Sequence, residues 1–267
     1  MTLFPRLTSA LVIAIAVSSL SANATTVQFQ TSLGDFEVIL FDEGTPLTVA
    51  NFLDYVEAGA YTDSVIHRSV SEFVVQGGGY TFPDDQPSAI TTNAPVLNEP
   101  EYSNVTGTIA MAKLGGDEDS ATSQWFFNLK DNSTNLDVQN GGFTAFGQVK
   151  GDGMDVVEAI AQVSTFNMGS SFTNFPLVDY TQEDYDNFEP VTADNVVTIY
   201  AIVVTDAATD TLGDLEPVEN DLIDAVPTPE PDTDKGDGGG GSLDMLMVLL
   251  LAALGGFSTR LRARRRH

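Results

Sequence analysis

The segment Ile66-His67-Arg68-Ser69-Val70-Ser71-Glu72-Phe73-Val74-Val75-Gln76-Gly77-Gly78-Gly79-Tyr80 sets one guanidinium among apolar residues and runs into three consecutive glycines. Phe73-Val74-Val75 is a short apolar run between a polar turn and glycines, the pattern of a buried strand. Arg68 is the only arginine between Arg6 and Arg260, and it closes the apolar segment Val65-Ile66-His67-Arg68. Two readings of such a residue stand side by side: it completes a buried ion pair, or it is a fixed cation with a chemical task.

Outward from this segment the chain reads as many short strands and two helices. Val27-Gln28-Phe29-Gln30 and Phe36-Glu37-Val38-Ile39-Leu40 flank a turn at Ser32-Leu33-Gly34 and predict an opening β-hairpin. Thr45 is placed to cap a helix with Pro46 at its first position and Gly59 at its end, and Val49, Phe52, Leu53 and Val56 give it one buried face. Apolar runs at Phe73–Val75, Thr108–Ala112, Trp125–Leu129 and Phe146–Val149 predict further strands. Met154–Gln162 predicts a second helix, Val196–Val204 a closing strand, and 164–195 reads as irregular. This inventory predicts a small β-barrel capped at its ends.

Of 267 residues, 38 are acidic and 11 basic, a net charge of −27. Between Thr25 and Ser242 the only basic residues are Arg68, Lys113, Lys130, Lys150 and Lys235. Such a surface repels phosphate backbones, which argues against nucleic-acid partners. The absence of cysteine excludes disulfides, thiolate metal sites and a cysteine nucleophile, and two histidines, His67 and His267, exclude a multi-histidine centre. No nucleophile elbow, phosphate-binding glycine loop or metal-binding helix is present, so neither metal nor cofactor is expected.

The ends carry addresses. Residues 1–24 combine Arg6, the apolar run Leu11–Val17 and Ser21-Ala22-Asn23-Ala24, the form of a signal peptide cut after Ala24; an uncleaved anchor is the alternative, with an apolar core shorter than the ~20 residues that span a bilayer. Residues 25–205 form the predicted domain. Residues 206–242, acidic and containing Pro217, Pro227, Pro229 and Pro231, read as a disordered spacer. In 243–267, after Gly238–Gly241, an apolar run from Leu243 to Phe257 precedes Arg260, Arg262, Arg264, Arg265 and Arg266. This arrangement resembles the GlyGly-CTERM sorting tail of Gram-negative bacteria, which implies insertion in the inner membrane and removal by a rhomboid-type protease. A permanent anchor is the alternative. Basic residues after the helix place the domain outside the cytoplasm, in the periplasm or at the cell surface.

From Ile66 to Tyr80 the sequence resembles the arginine- and glutamine-bearing signature of cyclophilins, the peptidyl-prolyl cis-trans isomerases. Gly107-Thr108-Ile109-Ala110-Met111-Ala112-Lys113, Ser120 to Leu129, and Phe146-Gly147-Gln148-Val149 with Gly153-Met154-Asp155-Val156-Val157 resemble the family's later strands and helix. The resemblance runs from about Val27 to Thr205, closest to the periplasmic bacterial branch. It implies a mainly β fold, a closed antiparallel eight-stranded barrel capped by two α-helices, acting as a monomer on proline-containing exported polypeptides during their folding.

By the same resemblance Arg68 and Gln76 are the catalytic residues, and Phe73, Val74, Ala112, Lys113, Gln124, Phe126, Leu136 and Phe143 bind substrate. The match has departures. Ser71-Glu72 stands for a usual Pro-Gly, Val74 for a longer side chain, Lys113 for an asparagine, Asn135 for an aromatic residue and Phe143 for a histidine or tyrosine. His67 is expected to pack in the barrel. A non-catalytic proline-peptide-binding chaperone module is the alternative reading of the same residues, and a surface protein whose acidic arm contacts cations or cell-wall material is a third.

Overall fold

The computed structural model describes residues 25–207 and 215–223. The leader, the segments 208–214 and 224–242, and the apolar and arginine-rich tail lie outside the described residues. Among the described residues no helix is long and apolar enough to cross a membrane.

The expected hairpin is β1 (Thr26–Thr31) and β2 (Gly34–Leu40). It is followed by α1 (Pro46–Glu57), then β3 (Ser64–Val65), β4 (Arg68–Val70), β5 (Val74–Gly77), β6 (Tyr80–Thr81) and β7 (Ser88–Ala89). Next come β8 (Thr108–Met111), β9 (Trp125–Asn128), α2 (Ser133–Leu136), β10 (Ala145–Val149) and α3 (Met154–Ala161). Residues 164–195, read as irregular, contain the small β11 (Thr165–Phe166) and β12 (Phe175–Pro176) pair and α4 (Gln182–Asp186). The last strand is β13 (Thr198–Asp206).

All strands but β11 and β12 belong to one sheet of eleven, ordered β4-β5-β9-β8-β10-β2-β1-β13-β3-β6-β7. The sheet curls: β4, at one end of this order, and β3, near the other, belong to one run of chain, 64–70, which pairs with β5 on one side and with β13 on the other. The run changes partners at Ile66 and His67. The Ile66 amide donates to the Val197 carbonyl (3.0 Å) beside β13, whereas the His67 amide donates to the Gln76 carbonyl (3.2 Å) in β5. The expected pair of helices becomes α1 and α3 with the short α2 and α4 added.

Period-two alternation gives the sheet two apolar faces. One holds Phe29, Phe36, Val38, Val75, Ile109, Trp125 and Phe127, all buried in the main core. There Phe29 stacks on Phe36 (5.0 Å) and meets Trp125 (5.2 Å) and Phe127 (5.4 Å) edge-on. Gly77 and Gly78 follow from Trp125: a Cβ on Gly77 would lie 2.6 Å from the indole, and Gly78 has φ +74, a conformation that favours glycine.

The N-terminus of α1 differs from expectation. Thr45 gives its hydroxyl to the Phe41 carbonyl (3.1 Å) and makes no cap. The Glu99 carboxylate instead accepts from the amides of Leu47 (3.1 Å) and Thr48 (2.8 Å), a charge suited to the positive end of a helix. The reading of 206–242 as one unstructured spacer also fails for 215–223. There Glu219 bridges Tyr102 antiparallel and Asn220 is buried, because backbone groups and a single amide, rather than apolar residues, make the contact.

Candidate active site

Strand register brings the site together on the sheet face opposite the main core. Arg68 of β4 pairs with Gln76 of β5, Gln76 with Phe126 of β9, Phe126 with Ala110 of β8, and Ala110 with Ala145 of β10. One rung thus carries a guanidinium, an amide, a phenyl ring and two methyl groups in order across the sheet. A shift of one residue gives Ser69, Val75, Phe127 and Ile109, the rung facing the core side. The second apolar cluster is built on the first rung: Val74, Ala110, Ala112, Phe126, Leu136, Phe143 and Ala145, with Phe73 and Tyr102 half-buried against it.

A chain of amides orients the guanidinium. Arg68 Nη1 donates to Gln76 Oε1 (3.2 Å), and Gln76 Nε2 donates to Gln124 Oε1 (2.9 Å). Because Gln76 spends its oxygen on the cation and its NH2 on Gln124, its amide has one consistent orientation. Burial pulls the Arg68 pKa below its ordinary value, and a guanidinium so shifted still carries its charge at neutral pH.

His67, next to it, is buried and lowered to about 3, first by desolvation and then by the Arg68 charge. It is a neutral packing residue between Tyr80 (5.2 Å between ring centres) and Phe172 (6.1 Å), as its barrel position implied.

Ala112 and Lys113 follow β8 at the edge of the apolar cluster. The Lys113 ammonium is turned inward, donating to the carbonyls of Asn140 (2.8 Å) and Gly142 (2.6 Å) with the Phe143 ring centre 5.0 Å away. Burial lowers its pKa to about 8 against the opposing pull of Glu118, Asp119 and Asp117. Lys113 is therefore a peg for the loop that carries Phe143, and its side chain does not face a substrate groove. Phe143 meets Phe126 edge-on at 5.9 Å.

Sequence reasoning missed what holds that loop. Asp137 is fully buried and accepts from Ser103 Oγ (2.5 Å), the Asn104 amide (2.7 Å) and Asn104 Nδ2 (2.9 Å). No local signal marks it, since one carboxylate in so acidic a chain is unremarked. Asn135 is exposed on α2 beside Leu136, and Glu72 is exposed with φ +56 in the turn before Phe73.

The family model for the cyclophilin type peptidyl-prolyl cis-trans isomerase/CLD matches residues 26–181. The chain belongs to the cyclophilin family. This cyclophilin is 38% identical over 180 residues to peptidyl-prolyl cis-trans isomerase A of Dickeya dadantii, a match covering 64% of this chain and 91% of the relative. It is 42% identical over 146 residues to a peptidyl-prolyl cis-trans isomerase of Streptomyces antibioticus, covering 52% and 85% of the two chains. To peptidyl-prolyl cis-trans isomerase B of Escherichia coli it is 39% identical over 149 residues, covering 54% and 88%. The matched span contains Arg68, Gln76, Phe126 and the loop 136–143 that completes the apolar cluster.

Proposed function

We propose that this cyclophilin catalyses X-Pro isomerisation with Arg68 as the hydrogen-bond donor and the Val74–Phe126–Phe143 cluster as the seat of the proline ring. The observation that carries this is the rung in which a fixed guanidinium stands two strands from a buried phenyl wall. Rotation about the amide meets a barrier of ~18–20 kcal/mol, because resonance stiffens the C–N bond. At the twisted geometry the prolyl nitrogen is pyramidal and accepts a hydrogen bond that the planar amide does not. A donor placed there stabilises the transition state alone. No nucleophile or titrating group enters, and the apolar wall fixes the ring while the rest of the peptide turns.

The test is turnover and affinity of a proline tetrapeptide for the full chain and for Arg68→Ala. Loss of one such donor typically costs about 10²–10³-fold in rate. Peptide affinity is expected to change far less, and the rate to stay flat between pH 5.5 and 7.5. Equal turnover in the variant would remove Arg68 from the mechanism. A wild type that binds the peptide without turning it over would make the protein a binding module.

The clients in this reading are exported polypeptides. It rests on the order of leader, domain, glycines, apolar run and arginines in the sequence. The leader is removed after Ala24, the domain works as a monomer outside the cytoplasm, and the tail enters the inner membrane before rhomboid-type cleavage near Gly238–Ser242. Intact mass of the native protein tests this, and a membrane-bound form retaining Arg266 would overturn the cleavage.

A further inference from the structure

After β13 the chain comes back to the domain at 215–223 and fastens beside the proline site. The Ser103 amide donates to the Val218 carbonyl (2.8 Å), and the Asn220 amide donates to the Glu101 carbonyl (2.9 Å). Asn220 Nδ2 donates to the carbonyls of Pro100 and Asp137, both at 3.1 Å, and its Oδ1 accepts from the amides of Leu222 and Ile223, both at 3.1 Å. Ile223 then lies against Gly142, its Cδ1 3.3 Å from where a Cβ on that glycine would be.

Two of these contacts, Asn220 to Asp137 and Ile223 to Gly142, fall on the loop that walls the site, and the others with the domain fall on 100–103. Asp137 follows Leu136, and Gly142 precedes Phe143. The clasp therefore delivers the chain to the rim of the apolar cluster, and the sequence that follows is Asp224-Ala225-Val226-Pro227-Thr228-Pro229-Glu230-Pro231.

Reach decides what this segment meets. Consecutive Cα atoms are ~3.8 Å apart, and four extended residues span about 13–14 Å. From Ile223, Pro227 lies four residues on, Pro229 six and Pro231 eight. The Phe143 ring, one residue from the glycine that Ile223 lies beside, is 5.9 Å from Phe126. Three X-Pro bonds are thus tethered within reach of the surface that the proposed activity assigns to proline.

We propose that the segment Val226–Pro231 is an intramolecular ligand of the proline site of its own chain, and that its X-Pro bonds are the first this enzyme turns. The inference rests on the assignment of the site given under Proposed function. A short tether presents its ligand at about millimolar effective concentration, so a free peptide of millimolar affinity competes against it. External substrates consequently see a partly occupied site, and a tight-binding client displaces the segment where a weak one does not. The segment precedes Gly238, so it stays with the domain whether or not the tail is processed.

The experiment compares the full chain with the triple variant Pro227→Ala, Pro229→Ala, Pro231→Ala, which alters no residue of the packed domain. Methyl shifts of Val74, Ala112 and Leu136 report occupancy without requiring turnover, and they are expected to differ between the two forms. KM for a proline tetrapeptide is expected to fall about 2- to 10-fold in the variant with kcat unchanged, the signature of a removed intramolecular competitor at millimolar effective concentration. Asn220→Ala, which unfastens the clasp, should move both readouts in the same direction. Identical methyl shifts in wild type and triple variant would overturn the inference, even in a chain fully active on the tetrapeptide. Shifts that depend on protein concentration would also overturn it, in favour of a second copy as the source of the segment. Inactivity on the tetrapeptide with occupancy present would instead fail the isomerase reading and leave the ligand assignment standing.

Discussion

Replacing His67 by phenylalanine or glutamine should flatten the stability of this protein between pH 6.5 and 5. The imidazole is buried against Tyr80 and Phe172 with the Arg68 charge beside it, and its folded pKa is lowered from 6.5 to about 3. In the unfolded chain it titrates near the ordinary value. The sign follows: above pH 6.5 neither state holds the proton, and below it the unfolded state binds a proton that the folded state refuses. Stability is therefore complete above pH 6.5 and declines as pH falls, by about 1.4 kcal/mol per unit once the unfolded histidine is charged. At pH 5 the loss is about 2 kcal/mol, whatever the folded pKa is, provided it lies below about 4. The ordinary range of a free carboxyl group lies below this window. Trp125, the only tryptophan and fully buried among aromatic rings, supplies the fluorescence signal for urea unfolding. The expected result is a wild-type free energy that drops by about 2 kcal/mol from pH 7 to 5 and a flat line in both variants. Equal slopes in wild type and variants would refute the buried neutral imidazole.

Lys113 should act in the opposite range. Its folded pKa is lowered to about 8 against 10.5 in the free side chain, so stability rises as pH climbs from 8 toward 9.5, and Lys113→Met should abolish that rise in the same unfolding assay. Glu72 holds φ +56, so Glu72→Gly should stabilise by about 0.5–1 kcal/mol after the extra entropy of glycine is subtracted, read as a raised midpoint in urea. Asn135 is exposed beside Leu136, at a position where the resemblance implies an aromatic side chain. Weak inhibition by ciclosporin is expected, with Asn135→Trp tightening it by roughly 5- to 150-fold, and tight inhibition of the wild type would contradict this.

What the sequence made legible was local. Arg68 stood out as the lone arginine of an apolar segment, and Gln76 and Phe126 were named from the resemblance that contiguous motifs carry. The hairpin, α1 and α3 followed from periodicities of two and 3.6. What it withheld was long-range. That Glu99 caps α1 depends on a contact across about fifty residues, and nothing near Glu99 announces a helix end. That Lys113 turns inward depends on carbonyls at Asn140 and Gly142, which every residue has. The change of partners at Ile66 and His67 is a property of two neighbouring strands at once, so no local pattern marks it. The clasp at 215–223 was hidden by composition, because average acidity and proline content describe a stretch while one asparagine and a few backbone amides fasten it.

The pairing of β1 with β13 sets an order of events for making this protein. Val27 stands opposite Val204 and Phe29 opposite Ile202, so the first strand lies between its hairpin partner and the last strand of the domain. In a chain produced or threaded from its N-terminus the rings around Trp125 are all present by Phe127, but Phe29 waits until some 170 residues after it have arrived before β13 covers its strand. Non-local closure of this kind slows folding and prolongs the life of sticky partial structures. The domain is thus late to acquire the very shape that would let it assist other chains, and for that interval its own first strand is the exposed, sticky surface.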